Sequence, residues 1–415
     1  MAASQANIDV TGNNIANVNT DGYTRQRVDL NSISGSGYTQ KYAVPHSSVG
    51  MGVEVNNISQ IRDSFMDIRF RNQSSENGRF NTILAGLSDL ENIFDEADTE
   101  GLQNELSNFI NQLQIFSQTP TSKDLSHIVR TAAQKITQIL NVYDQQIAEV
   151  REQQVYDLSN VVINNSFNTK VKNIASLNTQ IREELIHGNT PNELLDKRNT
   201  LIDELSSLAH IKISTIPEKI GENLTVENLS IAIYDTTTGT SIEIVNNGQY
   251  NTLSVHETAD SLEILINSSF GGYDGKNIAD YFSGGSIRGS LDLINGKGIY
   301  ADTFAGENQF RGTLYYKNTM DTFAANFASI FNELNTNADG VLKPLFSSSQ
   351  GTAIKAGTIR ISNEWLADSS YITTTTSGSD ASSGEGDNIL RMISRMSSDI
   401  NFYRNANNIP SSEVM

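Results

Sequence analysis

Between positions 121 and 187 the chain carries neither glycine nor proline, and Leu125, Ile128, Ala132, Ile136, Ile139, Tyr143, Ile147 and Val150 recur at steps of three or four residues. Glycine and proline are the residues least compatible with a helix interior, and this spacing lays one apolar stripe along one side of a helix. The steps resume at Val171, Ile174, Leu177, Ile181 and Leu185 after a polar interruption at 164–168. Unbroken, such a helix would be on the order of 100 Å long at about 1.5 Å per residue. A chain holding that element is committed to a long-helix architecture, with the stripe as bundle core.

Shorter helical patterns precede it. Ile8, Ile15 and Val18 share one face of a helix over 2–18, which Asn19-Thr20-Asp21-Gly22 should stop, because glycine tolerates positive φ and Asn and Asp bond back to the chain. Residues 28–52 read as an irregular Gly/Ser segment, Val53 and Val55 as a short strand. From Ile58 a helical period runs through Ile61, Phe65 and Ile68 to a polar break at 74–78, and a second helix covers 80–93. Asp98-Thr99-Glu100-Gly101 offers a cap for a third, carrying Leu102, Leu106, Phe109, Ile110, Leu113 and Phe116. Beyond the long stretch, Pro191 opens a helix with Leu194, Leu195, Leu201, Leu205 and Leu208.

After Ala209 the pattern changes to alternating runs at 211–214, 229–234, 242–245 and 262–266, separated by Gly239, Asn247-Gly248 and Gly271-Gly272. The glycines at 271, 272, 275, 284, 285 and 289 read as turns and bends among these strands. Helical spacing returns with Met320, Phe323, Ala324, Phe327, Ile330, Phe331 and Leu334. A strand at 358–362, a Ser/Gly/Asp loop at 377–387 and a helix at 388–397 come after it. The expected fold is α+β, multidomain and elongated, a long-helix bundle core with an inserted small antiparallel β domain. Its divisions are 1–57 (N-terminal helix and extended loop), 58–208 (bundle), 209–290 (β domain), 291–337 (return helix) and 338–415 (mixed β and helix).

Charge narrows the function classes. Acidic residues number 48 against 29 basic, a net charge of −19, which repels nucleic acid and anionic lipid surfaces. With no cysteine, disulfides, thiolate metal sites and cysteine nucleophiles are excluded. No run reaches the roughly 20 apolar residues a membrane helix needs, and Asn7, Asp9 and Asn13 spoil a cleavable leader. The abundance of Asn, Ser, Thr and Gln beside 7% aromatics points to solvated surfaces and thin helices.

No catalytic, cofactor or metal residue is expected. His46, His127, His187, His210 and His256 are scattered without paired ligand spacing. The carboxylates of 95–101 lack the calcium-loop pattern and suit a helix N-terminus. Neither a phosphate-binding loop nor a Gly-x-Ser-x-Gly elbow occurs, and Ser34-Gly35-Ser36-Gly37 lacks the strand-to-helix setting of a phosphate cradle. The stripe at Ile8, Ile15 and Val18 stands near a chain end with few local partners, so packing between molecules is expected of it.

Asn13-Asn14-Ile15-Ala16-Asn17 followed by Thr20-Asp21-Gly22-Tyr23-Thr24-Arg25 resembles the signature shared by flagellar rod, hook and hook-associated proteins. The amides of Asn13, Asn14 and Asn17 could bond across subunits, and Gly22 lets the chain turn before Tyr23 anchors it. Gly50-Met51-Gly52-Val53-Glu54-Val55 with Ile61-Arg62-Asp63-Ser64-Phe65 resembles the first hook-associated family, as do 284–291 and 320–337. The run 191–206, with Leu194, Leu195, Asp196, Arg198, Leu201 and Leu205, is similar to that family's helix, with Lys197 and Asn199 as departures.

The resemblance implies a non-enzymatic axial protein joining hook to filament, a homo-oligomer outside the cell in the bacterial flagellum. It implies type III export without a cleaved signal, with hook protein and the next hook-associated protein as neighbours. A longer first helix and a matching C-terminal helix are expected of the family, so truncation at both ends is expected, and with it loss of the site for an export chaperone. The alternatives are another axial protein, hook-like, and a secreted adhesin on a helical stalk.

Overall fold

The computed structural model describes residues 1–33, 52–94, 101–220, 224–258, 261–301, 310–336, 340–351, 353–376, 385–397, 401–403 and 410–414. In chain order these form α1 (Ala2–Ala16), β1 (Gln26–Ser32), β2 (Val53–Gln60), α2 (Ser64–Phe94), α3 (Leu102–Gln118), α4 (Lys123–Tyr156), α5 (Thr169–Ile186) and α6 (Asn192–Leu208). Next are strands β3 (Ile211–Ile220), β4 (Leu224–Tyr234), β5 (Ser241–Asn246), β6 (Gln249–Tyr250), β7 (Thr252–Glu257) and β8 (Leu262–Asn267), then α7 (Gly285–Asn295) and α8 (Thr313–Leu334). Last come β9 (Phe346–Ser348), β10 (Ile359–Ile361), α9 (Asn363–Ala367), α10 (Asp387–Met396), β11 (Asn401–Tyr403) and β12 (Pro410–Val414). The helices and small antiparallel sheets make the fold α+β, as expected.

The glycine-free stretch is helical throughout but changes pitch. Between α4 and α5, Asp157–Asn168 is a π-helix whose buried residues are Leu158, Ile163 and Phe167. Steps of five and four suit its wider turn, so the polar interruption in the sequence is a change of period, not a stop. In α4 the buried line runs through Val129, Ala132, Ala133, Ile136, Leu140, Tyr143 and Ile147, and Ile128 is exposed.

Four other expectations are corrected. Residues 26–32, expected to be largely irregular, form β1, which pairs antiparallel with β2 from Gln26↔Gln60 to Ser32↔Val53. Ile58 lies inside β2 instead of opening a helix, so the expected boundary at 57/58 cuts a strand. No break occurs at 74–78, because Ser75 is buried and a Cβ on Gly78 would lie 2.1 Å from the Ser207 carbonyl oxygen; the small residues let another backbone approach. Gly285 and Gly289 belong to α7, where a Cβ on Gly289 would lie 2.7 Å from the Arg79 carbonyl oxygen, so helical structure returns before 291. The carboxylate cluster at 95–100, Ser34-Gly35-Ser36-Gly37, His46 and most of the 377–387 loop lie outside the described residues.

Two compact units result, 1–82 with 157–289 and 83–156 with 290–415, so the helices of the expected bundle are shared between them. The second unit is built on aromatic packing. Phe109 and Phe331 rings lie 5.3 Å apart, Phe327 and Phe346 5.0 Å, and Phe346 meets Trp365 edge-on at 5.7 Å. All are buried, each contributing about 1.5–3 kcal/mol.

In the first unit β3, β4, β5 and β6 form an antiparallel sheet, and β7 pairs with β8 as a separate hairpin. Asparagines join these parts. Asn168 Nδ2 donates to the Leu253 carbonyl and its Oδ1 accepts from the Leu253 amide, both at 2.8 Å, and Asn178 donates to the Asn247 carbonyl at 2.9 Å. Asn332, Asn335 and Asn388 clamp backbone in the same way in the second unit. The polar composition is therefore partly interior, since one carboxamide satisfies both a donor and an acceptor of a remote backbone.

Candidate assembly site

In the first unit α1 ends at Ala16, and the chain turns through Gly22 at φ +77°. Glycine is needed there twice, for that conformation and because a Cβ would lie 2.1 Å from Thr200 Oγ1 on α6. The turn and the 191–206 helix, separate segments in the sequence, thus meet at one point. Tyr23, after the turn, has its phenol pKa pushed up by burial and by the charge of Asp196 on α6.

Asn14 holds the turn together internally. Its Oδ1 accepts from the Tyr23 hydroxyl at 2.8 Å and the Gln26 amide at 2.9 Å, while its Nδ2 donates to the Gln26 carbonyl at 2.9 Å. Asn17 Nδ2 donates to Asn13 Oδ1 at 2.7 Å and to the Asn13 carbonyl at 3.1 Å. These amides have partners within the chain. The exposed members of the motif are Asn13, Ile15, Ala16, Thr20, Asp21, Gly22 and Arg25; Arg25 is fixed by its carbonyl, which accepts from the Ile61 amide at 2.8 Å. Ile8, Ile15 and Val18 are 68–73% exposed, so nothing among the described residues covers the stripe.

On α6, Leu205 is fully buried, and Leu194, Leu195 and Leu201 are half-buried. Buried Asp196 accepts from Gln60 Nε2 at 2.9 Å, the same amide reaches the Asn192 carbonyl at 3.0 Å, and Asn192 Nδ2 donates to the Ile58 carbonyl at 3.0 Å. The β1–β2 hairpin is thereby fastened to the start of α6. Farther along, Asp203 pairs with Arg71 at 2.6 Å and Arg62 at 3.3 Å, and Arg62 also pairs with Asp67 at 2.6 Å. Burial pulls the Arg62 pKa down, but Asp67 and Asp203 outweigh it and raise it overall. Arg198 donates to Asn178 at 3.2 Å; burial first, then the charge of Arg71, lower its pKa to about 10 against the opposing pull of Glu227.

Gln60, Arg62, Arg71 and Thr200 carry the docking, yet none of them stands out in the sequence as a site residue; the positive-φ glycine is the one signal that something must approach closely. Clefts flank the turn. One of about 510 Å³ is lined by Asp21, Ser176, Lys197 and Thr200, and one of about 630 Å³ by Asn13, Gln26, Asn57 and Asn192. Among the described residues no group of three or more His, Asp or Glu side chains could hold a metal, and no helix is long and apolar enough to cross a membrane. What the arrangement supplies is a rigid mount for an exposed helix, with amide and apolar groups at its surface.

Residues 1–24 match the family model described as flagella basal body rod protein, and residues 87–341 the one described as flagellar hook-associated protein FlgK helical domain. The flagellar hook-associated protein 1 of Bacillus subtilis is 29% identical over 354 residues, covering 83% of this chain and 66% of that protein. Its counterpart in Salmonella typhimurium is 27% identical over 234 residues, covering 54% and 39%. The chain therefore spans between two fifths and two thirds of these relatives' lengths. The flagellar hook junction protein FlgK from Burkholderia pseudomallei shares the fold, with a TM-score of 0.51 at 18% identity over 69% of this chain and 47% of that one. With the helical-domain model matched over more than half of its length, the chain belongs to the flagellar hook-associated protein FlgK family.

Proposed function

We propose that this protein is a structural adaptor of the bacterial flagellum, a homo-oligomer that joins hook to filament without covalent chemistry. The observation that carries the reading is the match of 87–341 to the FlgK helical domain, together with relatives whose names place them in hook-associated assemblies. The first unit supports it physically. The turn at Gly22, held by Asn14 and seated on Thr200, fixes the direction in which α1 leaves the unit, and α1 presents Ile8, Ile15 and Val18 for contacts outside the chain. An adaptor needs such a rigidly mounted contact element and no catalytic group.

On this reading the protein is exported by the flagellar type III route and lies outside the cell, between hook protein and the next hook-associated protein. An export chaperone would act on C-terminal sequence. Deletion of the gene tests it: cells should retain hooks, lack filaments and shed flagellin into the medium. Normal filaments on the deletion strain would overturn the proposal. Gly22→Val introduced at the gene should reproduce the loss without reducing the amount exported.

A further inference from the structure

The pair Asn-Gly occurs at 77–78, 247–248 and 295–296. In such a pair an asparagine can react with its own main chain, because glycine has no side chain to shield its amide nitrogen from the neighbouring carboxamide carbon. The reaction needs that nitrogen free of a hydrogen bond and room to bring it over the side chain. The fold treats the pairs differently on both counts.

Asn77-Gly78 lies inside α2, where the Gly78 amide is a helix donor and the Asn77 carboxamide accepts from Asn81 at 3.2 Å. A Cβ on Gly78 would lie 2.1 Å from the Ser207 carbonyl oxygen, so this backbone has no room to turn. Asn295 ends α7, and the buried Gly296 after it is wedged: a Cβ there would lie 2.3 Å from the Asp292 carbonyl oxygen and 2.6 Å from that of Phe310.

Asn247-Gly248 is the two-residue turn between β5 and β6. Among the described residues Asn247 is the one non-glycine at positive φ, +50°, a sparsely populated conformation that strains the turn. Its amide donates to the Leu229 carbonyl at 3.0 Å, and its carbonyl accepts from Asn178 Nδ2 on α5 at 2.9 Å. The two groups that would react are left out of this pinning. Among the described residues neither the Asn247 carboxamide nor the amide of the exposed Gly248 has a hydrogen-bond partner, and a Cβ on Gly248 would meet only the Thr179 side chain. Turning the Asn247 carbonyl out of the Asn178 bond brings the Gly248 nitrogen toward the carboxamide. One hydrogen bond therefore holds this pair back, against a whole helix at 77 and packed backbone at 295.

We propose that Asn247 is a self-modifying site. The Gly248 nitrogen, giving its proton to solvent base, bonds to the Asn247 side-chain carbonyl carbon; the bond from that carbon to the carboxamide nitrogen breaks, ammonia leaves, and a five-membered succinimide remains. Water then opens the ring. Cleavage at the side-chain carbonyl restores the main chain with aspartate at 247, and cleavage at the main-chain carbonyl leaves isoaspartate. Either product adds a negative charge to the turn. Isoaspartate also lengthens the main chain by one carbon, which relieves the positive φ and draws the carbonyl away from Asn178, so the β5–β6 turn loosens from α5 as the protein ages.

Peptide mass mapping of the folded chain, held at mildly alkaline pH, tests this. Conversion at 247 should run at least about tenfold ahead of 77 and 295, rise with pH, and become similar at all the pairs in urea. Isomerisation at Asp21-Gly22, Asp274-Gly275 and Asp339-Gly340 leaves mass unchanged, so the mass gain is read without that background. Asn247→Gln, which would have to close a larger ring, should abolish the signal with unchanged circular dichroism. Asn178→Ala should speed conversion at 247 severalfold while 77 stays intact. Equal conversion at the three pairs in the folded chain, an Asn247 that survives while the unfolded chain converts, or a rate indifferent to Asn178→Ala would sink the idea.

Discussion

Phe109, Phe331 and Trp365 in the second unit and Phe65, Phe70 and Phe80 on α2 are all aromatic side chains on helices, but the first three are sealed and the others are 59–63% exposed. In the second unit, α3, α4 and α8 turn their large residues toward one another, so the aromatic rings define the core. On the stretch of α2 from Ser64 to Thr82 the inner contact is made by small residues such as Ser75 and Gly78 while Phe65, Phe70 and Phe80 stay exposed; farther along the same helix Ile83 and Leu90 are buried. Size therefore marks the interior in one region and the exposed side of a helix in the other, and the close-packed glycine face tells them apart.

The sharpest way to break this comparison is to truncate a ring in each region. Phe331→Ala should cost about 3–5 kcal/mol in urea unfolding, whereas Phe70→Ala, measured on dilute protein, should stay within about 0.5 kcal/mol. A comparable loss at both would mean that α2 is covered within the chain. Next in size, Gly78→Ala should destabilise by about 1–3 kcal/mol although alanine favours helix, because the Ser207 carbonyl occupies its place. Gly12→Ala, with nothing within 4 Å, should instead stabilise by about 0.5–1 kcal/mol.

Asn14→Ala should loosen the turn by about 1–2 kcal/mol, seen as faster hydrogen exchange at the Gln26 amide while the second unit is unchanged. The smallest effect is in pH response, and it has opposite sign in the two regions. Burial lowers the pKa of His210, against Glu76, so the unfolded chain takes up its proton first and stability falls as pH drops below about 6.5. Burial raises the pKa of Asp321 despite Lys317, so its contribution is present in acid and lost as pH rises through that raised value. His210→Gln should flatten the first slope and Asp321→Asn the second.

Much of the fold is legible in the chain. The period of α4 and α8, the stop after α1 and strands β3, β4, β5 and β8 come from local spacing, because each is set by residues close in sequence, whereas β7 goes unread. β1 escapes because Gln26 to Ser32 holds only two apolar residues and takes its pairing from β2, beyond a long intervening segment. The clamps are illegible for a related reason. Gln60 and Asp196 stand 136 positions apart, and nothing in an asparagine announces that its acceptor is remote backbone. At the candidate site Gly22 reads as a turn residue, but that Thr200 presses on it belongs to the three-dimensional structure alone.

The chain crosses from one unit to the other at 82/83, 156/157 and 289/290. During synthesis the first unit is therefore incomplete until β8 and the start of α7 have emerged, and the second waits for α8 and the segments C-terminal to it. Neither can be released by a single cut, and a nascent chain stalled before residue 157 would hold α1, β1, β2 and most of α2 without the partners that seat them. Until those partners emerge, the segments already made hold apolar surface that has no completed core to enter.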